Sequence, residues 1–130
     1  MKKFEDFNLK DTTMAFIEKN HFKQPTPIQE QVIPSALRGK DVIGLSSTGS
    51  GKTHAYLIPI MEKVDPNKDE AQVIITAPTR ELATQIYEMA EVMTEVIPEL
   101  RVCLYVGGRE RSKDVEQLEK SHPHIVVGTP

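Results

Sequence analysis

DVIGLSSTGSGKT, Asp41 to Thr53, joins a short apolar run to a cluster of hydroxyls and glycines that ends in lysine and threonine. Val42, Ile43 and Leu45 predict a strand over Asp41–Ser46, and the residues from Lys52 to Val64 predict the helix that follows it. Between them, Gly49 and Gly51 open backbone conformations that few other residues reach, so successive N–H groups can converge on an anion. The entry of the helix adds the positive end of its dipole at the same point. Lys52 supplies a mobile cation suited to β/γ-phosphates, and Thr53 a hydroxyl suited to Mg²⁺. The strict phosphate-loop pattern begins with glycine, where this chain has Ser46. A small residue there still permits the tight exit from a strand. Ser46, Ser47, Thr48, Gly49, Ser50, Gly51, Lys52 and Thr53 are therefore candidate nucleotide-binding residues, with Lys52 and Thr53 the catalytic candidates. The loop alone chooses neither the nucleotide nor the task, because kinases, GTPases and motors all use it.

Working outward, the chain alternates strand-like and helix-like segments. AQVIITA, RVCLYV and HIVVGT repeat the short, Val- and Ile-rich character of DVIGLS. Runs apolar on both faces indicate a parallel sheet covered by helices on each side. Helical spacing predicts helices over 80–96, closed by Pro98, and over 109–120, with two more ahead of the first strand, 11–20 and one beginning at Pro27. The order α-α-β-α-β-α-β-α-β reads as an α/β domain of the doubly wound type. Ligands in such sheets gather outside the carboxyl ends of the strands. Those ends here are Ser46–Thr53, Pro78–Glu81, Gly107–Gly108 and Thr129–Pro130.

Composition narrows the class. A chain of 130 residues, 38% apolar and 27% charged, suits one soluble core. No apolar run approaches the ~20 residues of a membrane helix, and MKKFEDFNLK lacks the apolar centre of a leader, so a cytoplasmic protein with no membrane partner is expected. The single cysteine, Cys103, lies in an apolar run and is expected to be buried and inert. The net charge of −3 gives no basic footprint for nucleic acid. The four histidines show no metal-ligand spacing, and Met14, Met61, Met89 and Met93 read as core filling.

FKQPTPIQ, Phe22 to Gln29, admits two readings. Thr26, Pro27 and Gln29 form a T-x-x-Q capping box with proline in the first helical turn. The same carboxamide can also accept from an adenine N6 amine and donate to N7, with Phe22 stacked on the ring. PTRELA, Pro78 to Ala83, offers Thr79 as a helix cap. Arg80 stands where the helix dipole favours an anion, so it does little for its own helix. Thr129 can donate to a phosphate from the end of the fourth strand, a kind of contact that tracks a backbone and reads little sequence.

Taken in order, PTPIQ, STGSGKT, PTRELATQ, GG and VVGTP resemble the N-terminal RecA-like domain of DEAD-box RNA helicases, over nearly the whole chain. KTHAYLIPIMEKV is most similar to the bacterial members. Phe4 lies seventeen residues before His21, where that family places an isolated aromatic. The resemblance implies a RecA-like P-loop fold, incomplete at the C-terminal side, with residues 1–35 as a helical segment bearing the adenine-reading motif and 36–130 as the first part of the motor domain. It implies ATP and Mg²⁺ as ligands, Gln29 as the adenine reader with Phe22 stacking and Phe4 supporting, and RNA backbone contacts from Pro78, Thr79, Arg80, Gly107, Gly108 and Thr129. The family's usual glycine before the aromatic is His21 here, and its usual alanine at the loop start is Ser46; small effects on affinity are expected from both.

The catalytic carboxylate of this family lies in a D-E-A-D sequence, and no such sequence occurs among these residues. The expectation is thus the first part of an ATP-dependent RNA helicase that separates short duplexes, inactive in hydrolysis without the carboxylate and the second domain. The alternatives are a DNA helicase of the same superfamily, against which PTPIQ and PTRELA argue, and a non-catalytic nucleotide- or RNA-binding module. The sequence names no protein partner.

Overall fold

The computed structural model describes residues 3–45, 51–106 and 122–130. The chain divides into two compact units, Met1–Lys63 and Val64–Pro130.

The first unit is helical. A 3₁₀ turn, Phe4–Phe7, precedes α1 (Asp11–Lys19), α2 (Pro27–Leu37) and α3 (Lys52–Lys63). Phe16, Ile33, Leu57 and Ile58 are fully buried and form the centre on which α1 and α2 pack against α3. Polar ties fix the far end of α3. The Glu62 carboxylate accepts from the Lys10 N–H at 2.8 Å and from the Thr13 hydroxyl at 2.5 Å, so it caps the start of α1. Lys63 donates its Nζ to the Ala36 carbonyl at 2.8 Å, a second donor to a group that already accepts from the Gly39 N–H at 3.0 Å, and so ties α3 to the end of α2.

The capping box expected from T-x-x-Q is present. Thr26 accepts from the Gln29 N–H at 3.4 Å, the Gln29 Oε1 accepts from the Thr26 N–H at 3.0 Å, and Pro27 occupies the first helical position. His21 adopts φ +61, in the left-handed region. That conformation is why glycine suits this position, and a histidine there costs about 1–2 kcal/mol of backbone strain.

The strand expected at Asp41–Ser46 does not form. Residues 41–45 are irregular, with Ile43 and Leu45 exposed at 92% and 90%. Ser46 lies outside the described residues. β-branched composition favours an extended chain but does not provide the neighbour that must take its N–H and C=O groups.

The second unit holds the sheet. β1 (Val73–Thr76), β2 (Val102–Tyr105) and β3 (Ile125–Gly128) are all parallel, in the order β1-β3-β2. Ile125 and Val127 of the central strand are fully buried. Helix α4 (Arg80–Glu91) packs on β2 and β3 through Ala83, Ile86 and Ala90, residues mostly small enough to let the backbones approach. The single helix expected over 80–96 is broken at Val92, and a short α5 (Met93–Val96) resumes it. Thr94 donates its hydroxyl to the Glu91 carbonyl at 2.7 Å, a local bond that competes with the helical ladder. The helix expected over 109–120 lies outside the described residues. Cys103 is buried, as expected.

The two ends of this sheet differ in character. At the amino ends of the strands, the Arg101 N–H donates to the His124 Nδ1 at 2.9 Å, and the Arg101 guanidinium meets the Asp69 carboxylate at 2.5 Å. A hydrogen bond with His122, helped by the nearby Arg101 charge, holds the Asp69 carboxyl below its ordinary range. At the carboxyl ends, β2 and β3 approach so closely that a Cβ on Gly128 would meet the Tyr105 carbonyl oxygen at 2.5 Å. Parallel pairing sets the residues after β1 and after β3 along this one edge.

Candidate nucleotide and nucleic-acid site

Helix α3 begins at Lys52 with no carboxylate in its first turn, whereas α1, α2 and α4 carry Asp11, Glu30 and Glu81 there. Acids at those three starts complement the helix dipole; at α3 the positive end is left for a ligand, beside a lysine that the dipole disfavours. Lys52 is exposed and Thr53 half-buried. Gly51, the residue before, adopts φ +87. This is the left-handed conformation for which a phosphate-loop glycine is suited. The candidates Ser46, Ser47, Thr48, Gly49 and Ser50 lie outside the described residues.

Gln29 is fully buried and reaches this helix entry. Its Nε2 donates to the Gly51 carbonyl at 3.2 Å while its Oε1 holds the Thr26 N–H. The two readings of Gln29 are thus linked in one side chain: it caps α2 and also grips the last glycine before Lys52. One amide hydrogen and one lone pair of the carboxamide remain after these two bonds. That long-range bond was not visible in the spacing of the sequence, which shows only the local capping box.

Phe4 and Phe22, the two aromatics singled out by sequence, share one recess of about 300 Å³ with Met14 and Ile17, rimmed by Glu5, Glu18 and Lys23. Phe4 is buried and Phe22 half-buried. Gln29 is not among the residues that line this recess. A second cleft, of about 260 Å³, lies beside Lys52 between Ile28, Val32, Val42, Gly44 and Tyr56. The Tyr56 hydroxyl is hydrogen-bonded to Thr53, and its burial pushes its pKa up against that bond.

His54 completes this group, and sequence reasoning passed over it. It is 8% exposed, stands one residue after Thr53, and sets its ring edge-on to Phe22 at 4.7 Å and tilted on Phe16 at 5.8 Å. Burial pushes its pKa down to about 4, so the imidazole is neutral at pH 7.

In the second unit, Pro78, Thr79 and Arg80 follow β1 and are all exposed. Thr79 caps α4, accepting from the Leu82 N–H at 3.1 Å. Arg80 is the first residue of that helix, as expected. Thr129 follows β3, and its N–H is taken by the Tyr105 carbonyl at 3.1 Å, which leaves the side chain as the group available to a ligand. Gly107 and Gly108 lie outside the described residues. Among the described residues, no cluster of three or more potential metal ligands occurs, and no helix is long and apolar enough to cross a membrane.

A parallel sheet with a helix over it in the second unit, and in the first a helix whose entry carries glycine, lysine and threonine, give the chain an α/β character. The chain belongs to the DEAD/DEAH box helicase family, whose model matches residues 26–130. It is 48% identical over 130 residues to the DEAD-box ATP-dependent RNA helicase CshB of Bacillus subtilis, covering 98% of this chain and 30% of that protein. Against the DEAD-box ATP-dependent RNA helicase CshA of Bacillus cereus it is 42% identical over 130 residues, covering all of this chain and 24% of that one. Among solved structures, a DEAD box protein from the hyperthermophile Methanococcus jannaschii superposes with a TM-score of 0.86 at 34% identity, over 98% of this chain and 34% of that one. The chain therefore spans less than a third of the length of the curated relatives named here.

Proposed function

We propose that this chain is the nucleotide-gripping part of a cytoplasmic ATP-dependent RNA helicase. Residues 1–35 carry the base-reading segment and residues 36–130 the first part of the motor domain. ATP lies with its triphosphate at the entry of α3, where Lys52 and the backbone around Gly51 meet the phosphates. Thr53, half-buried in the first turn, would offer a hydroxyl to a Mg²⁺ ion held with the phosphates, and an oxygen donor fits that hard cation. When bound, the ion neutralises charge on the phosphates; Lys52 adds a cation on the protein side. The base stacks on Phe22 in the recess it shares with Phe4. Gln29, fully buried and outside the lining of that recess, is proposed to turn its remaining donor and acceptor to the adenine edge when the nucleotide binds.

RNA is held by its backbone along the carboxyl edge of the sheet, by Pro78, Thr79, Arg80 and Thr129, with Gly107 and Gly108 completing the set. A few oriented donors hold a sugar-phosphate chain without the basic surface that a net charge of −3 denies this chain. In the whole protein, hydrolysis drives local separation of short duplexes. The 130 residues contain no D-E-A-D sequence to position the attacking water, so by themselves they are expected to bind nucleotide weakly at best and not to hydrolyse it productively.

The observation that carries this reading is the 3.2 Å bond from Gln29 to the Gly51 carbonyl, which joins the base-reading segment to the phosphate loop in a chain of this family. In the intact helicase, Gln29→Ala is expected to weaken ATP about tenfold, the loss of one or two good hydrogen bonds, and to weaken inorganic tripolyphosphate less. Competition binding with both ligands measures the difference. Equal losses for the two would show that Gln29 serves only as a helix cap and loop brace.

A further inference from the structure

Buried histidines with one ring nitrogen lacking a protein partner are costly to keep, because an apolar side chain of similar size fills the same space without desolvating a polar atom. His54 is of this kind: it is 8% exposed, and its Nε2 has no hydrogen-bond partner among the described residues. What its ring does touch is Phe16, on α1, and Phe22, on the segment between α1 and α2. Phe22 belongs to a stretch, residues 21–26, that has no helical ladder of its own. Its backbone is held by one bond, from its N–H to the Ile17 carbonyl at 3.3 Å, just after the left-handed turn at His21. Backbone restraint alone does not orient the ring; the packing of its neighbours does. The interplanar angle of 81° at 4.7 Å is the edge-to-face geometry that aromatic pairs favour.

His54 also has a second connection, through the chain. It follows Lys52 and Thr53 directly in the first turn of α3, so any shift of that turn on phosphate binding carries the imidazole with it. Phe22 also lines the recess that the proposed base occupies. One ring therefore stands between the phosphate-binding turn and the stacking platform.

Resting on the reading of Phe22 as the base platform, we infer that His54 is a positioning residue: its ring holds Phe22 in the orientation that stacks the base and couples that orientation to the first turn of α3. It touches neither the phosphates nor the reacting atoms. Removing it leaves the phosphate grip intact and loosens the base.

The test uses the intact helicase and compares affinities for ATP and for inorganic tripolyphosphate. Four variants are needed: Phe22→Ala, His54→Leu, His54→Phe and the double variant Phe22→Ala/His54→Leu. His54→Leu fills the site without a flat ring, and is expected to weaken ATP about three- to tenfold, the worth of an aromatic pair, with tripolyphosphate unchanged. His54→Phe restores an edge-to-face partner and is expected to regain most of the ATP affinity. The double variant is expected to bind ATP no more weakly than Phe22→Ala alone, since the two residues act through one contact. If Phe22→Ala weakens ATP while His54→Leu leaves it unchanged, or weakens both ligands alike, the coupling is overturned and the base platform stands. If Phe22→Ala leaves ATP affinity unchanged, the base platform itself is wrong and the inference falls with it.

Discussion

On the proposed function, Lys52→Ala in the intact protein is expected to lower RNA-stimulated ATP hydrolysis by about 10²–10³-fold or more, while leaving the fold as stable as before. The loss follows from removing the cation aimed at the charge that develops on the transferred phosphoryl group, the kind of preorganised contact worth several kcal/mol in a catalytic site. The unchanged stability follows from local electrostatics. Lys52 is exposed and is the first residue of α3, at the positive end of the helix dipole, with no carboxylate in that turn to offset it. Removing a cation from that position gains about 0.3–1 kcal/mol for the helix, if anything. Full activity in the variant would refute the phosphate-loop assignment, and a collapse in the unfolding midpoint would show Lys52 to be structural.

The second large effect belongs to Gly51→Ala. Two costs add. At φ +87 an alanine is strained by about 1–2 kcal/mol whatever surrounds it. Its Cβ would also stand 2.6 Å from the Gln29 Nε2 and 3.1 Å from the Thr26 hydroxyl. A flexible side-chain end usually yields cheaply. Gln29 does not, because it is fully buried and its amide already holds the Gly51 carbonyl and the Thr26 N–H. Displacing it breaks both bonds and leaves the buried Gln29 amide without its partners, so the total is expected to be about 2–4 kcal/mol of stability, together with loss of ATP binding. Denaturant unfolding in two backgrounds separates the costs. With Gln29→Ala already in place, Gly51→Ala should cost only the strain and the milder contact with Thr26; an undiminished penalty would show that the clash with Gln29 contributes nothing.

Much of this site can be read from the sequence where the interactions are local. The T-x-x-Q box, Pro27 at the first helical position, the Thr79 cap and the helix starting at Lys52 all depend on neighbours within four residues, and all form as read. Interactions between distant segments cannot be read in this way. Gln29 and Gly51 are separated by 22 residues, and their bond is invisible to spacing. His54 was one of four histidines without ligand spacing, and only packing across α1, α3 and the segment between α1 and α2 gives its ring a role. Asp41–Ser46 shows the converse limit: Val42, Ile43 and Leu45 encode a preference for extended backbone, but a strand also requires a partner, and residues 41–45 have none in the described sheet. Val92 shows a smaller one, since helical spacing from Arg80 onward does not register that the Thr94 hydroxyl competes for the Glu91 carbonyl.

The resemblance carried by PTPIQ, STGSGKT, PTRELA and VVGTP also explains why His21 is tolerable. Histidine is among the residues that enter the left-handed region more readily than most, so the turn at φ +61 survives the exchange for a modest strain. Phe22 keeps its place beside the recess as a result.

Nucleotide hydrolysis by the intact protein, measured with and without RNA and with ATP or GTP as substrate, is the sharpest test of the proposal that this chain grips ATP for an RNA-driven motor. Hydrolysis of ATP alone is expected to be slow and to rise steeply when RNA is added, with little hydrolysis of GTP under either condition. Hydrolysis that ignores RNA, or that proceeds as well with GTP as with ATP, would contradict it.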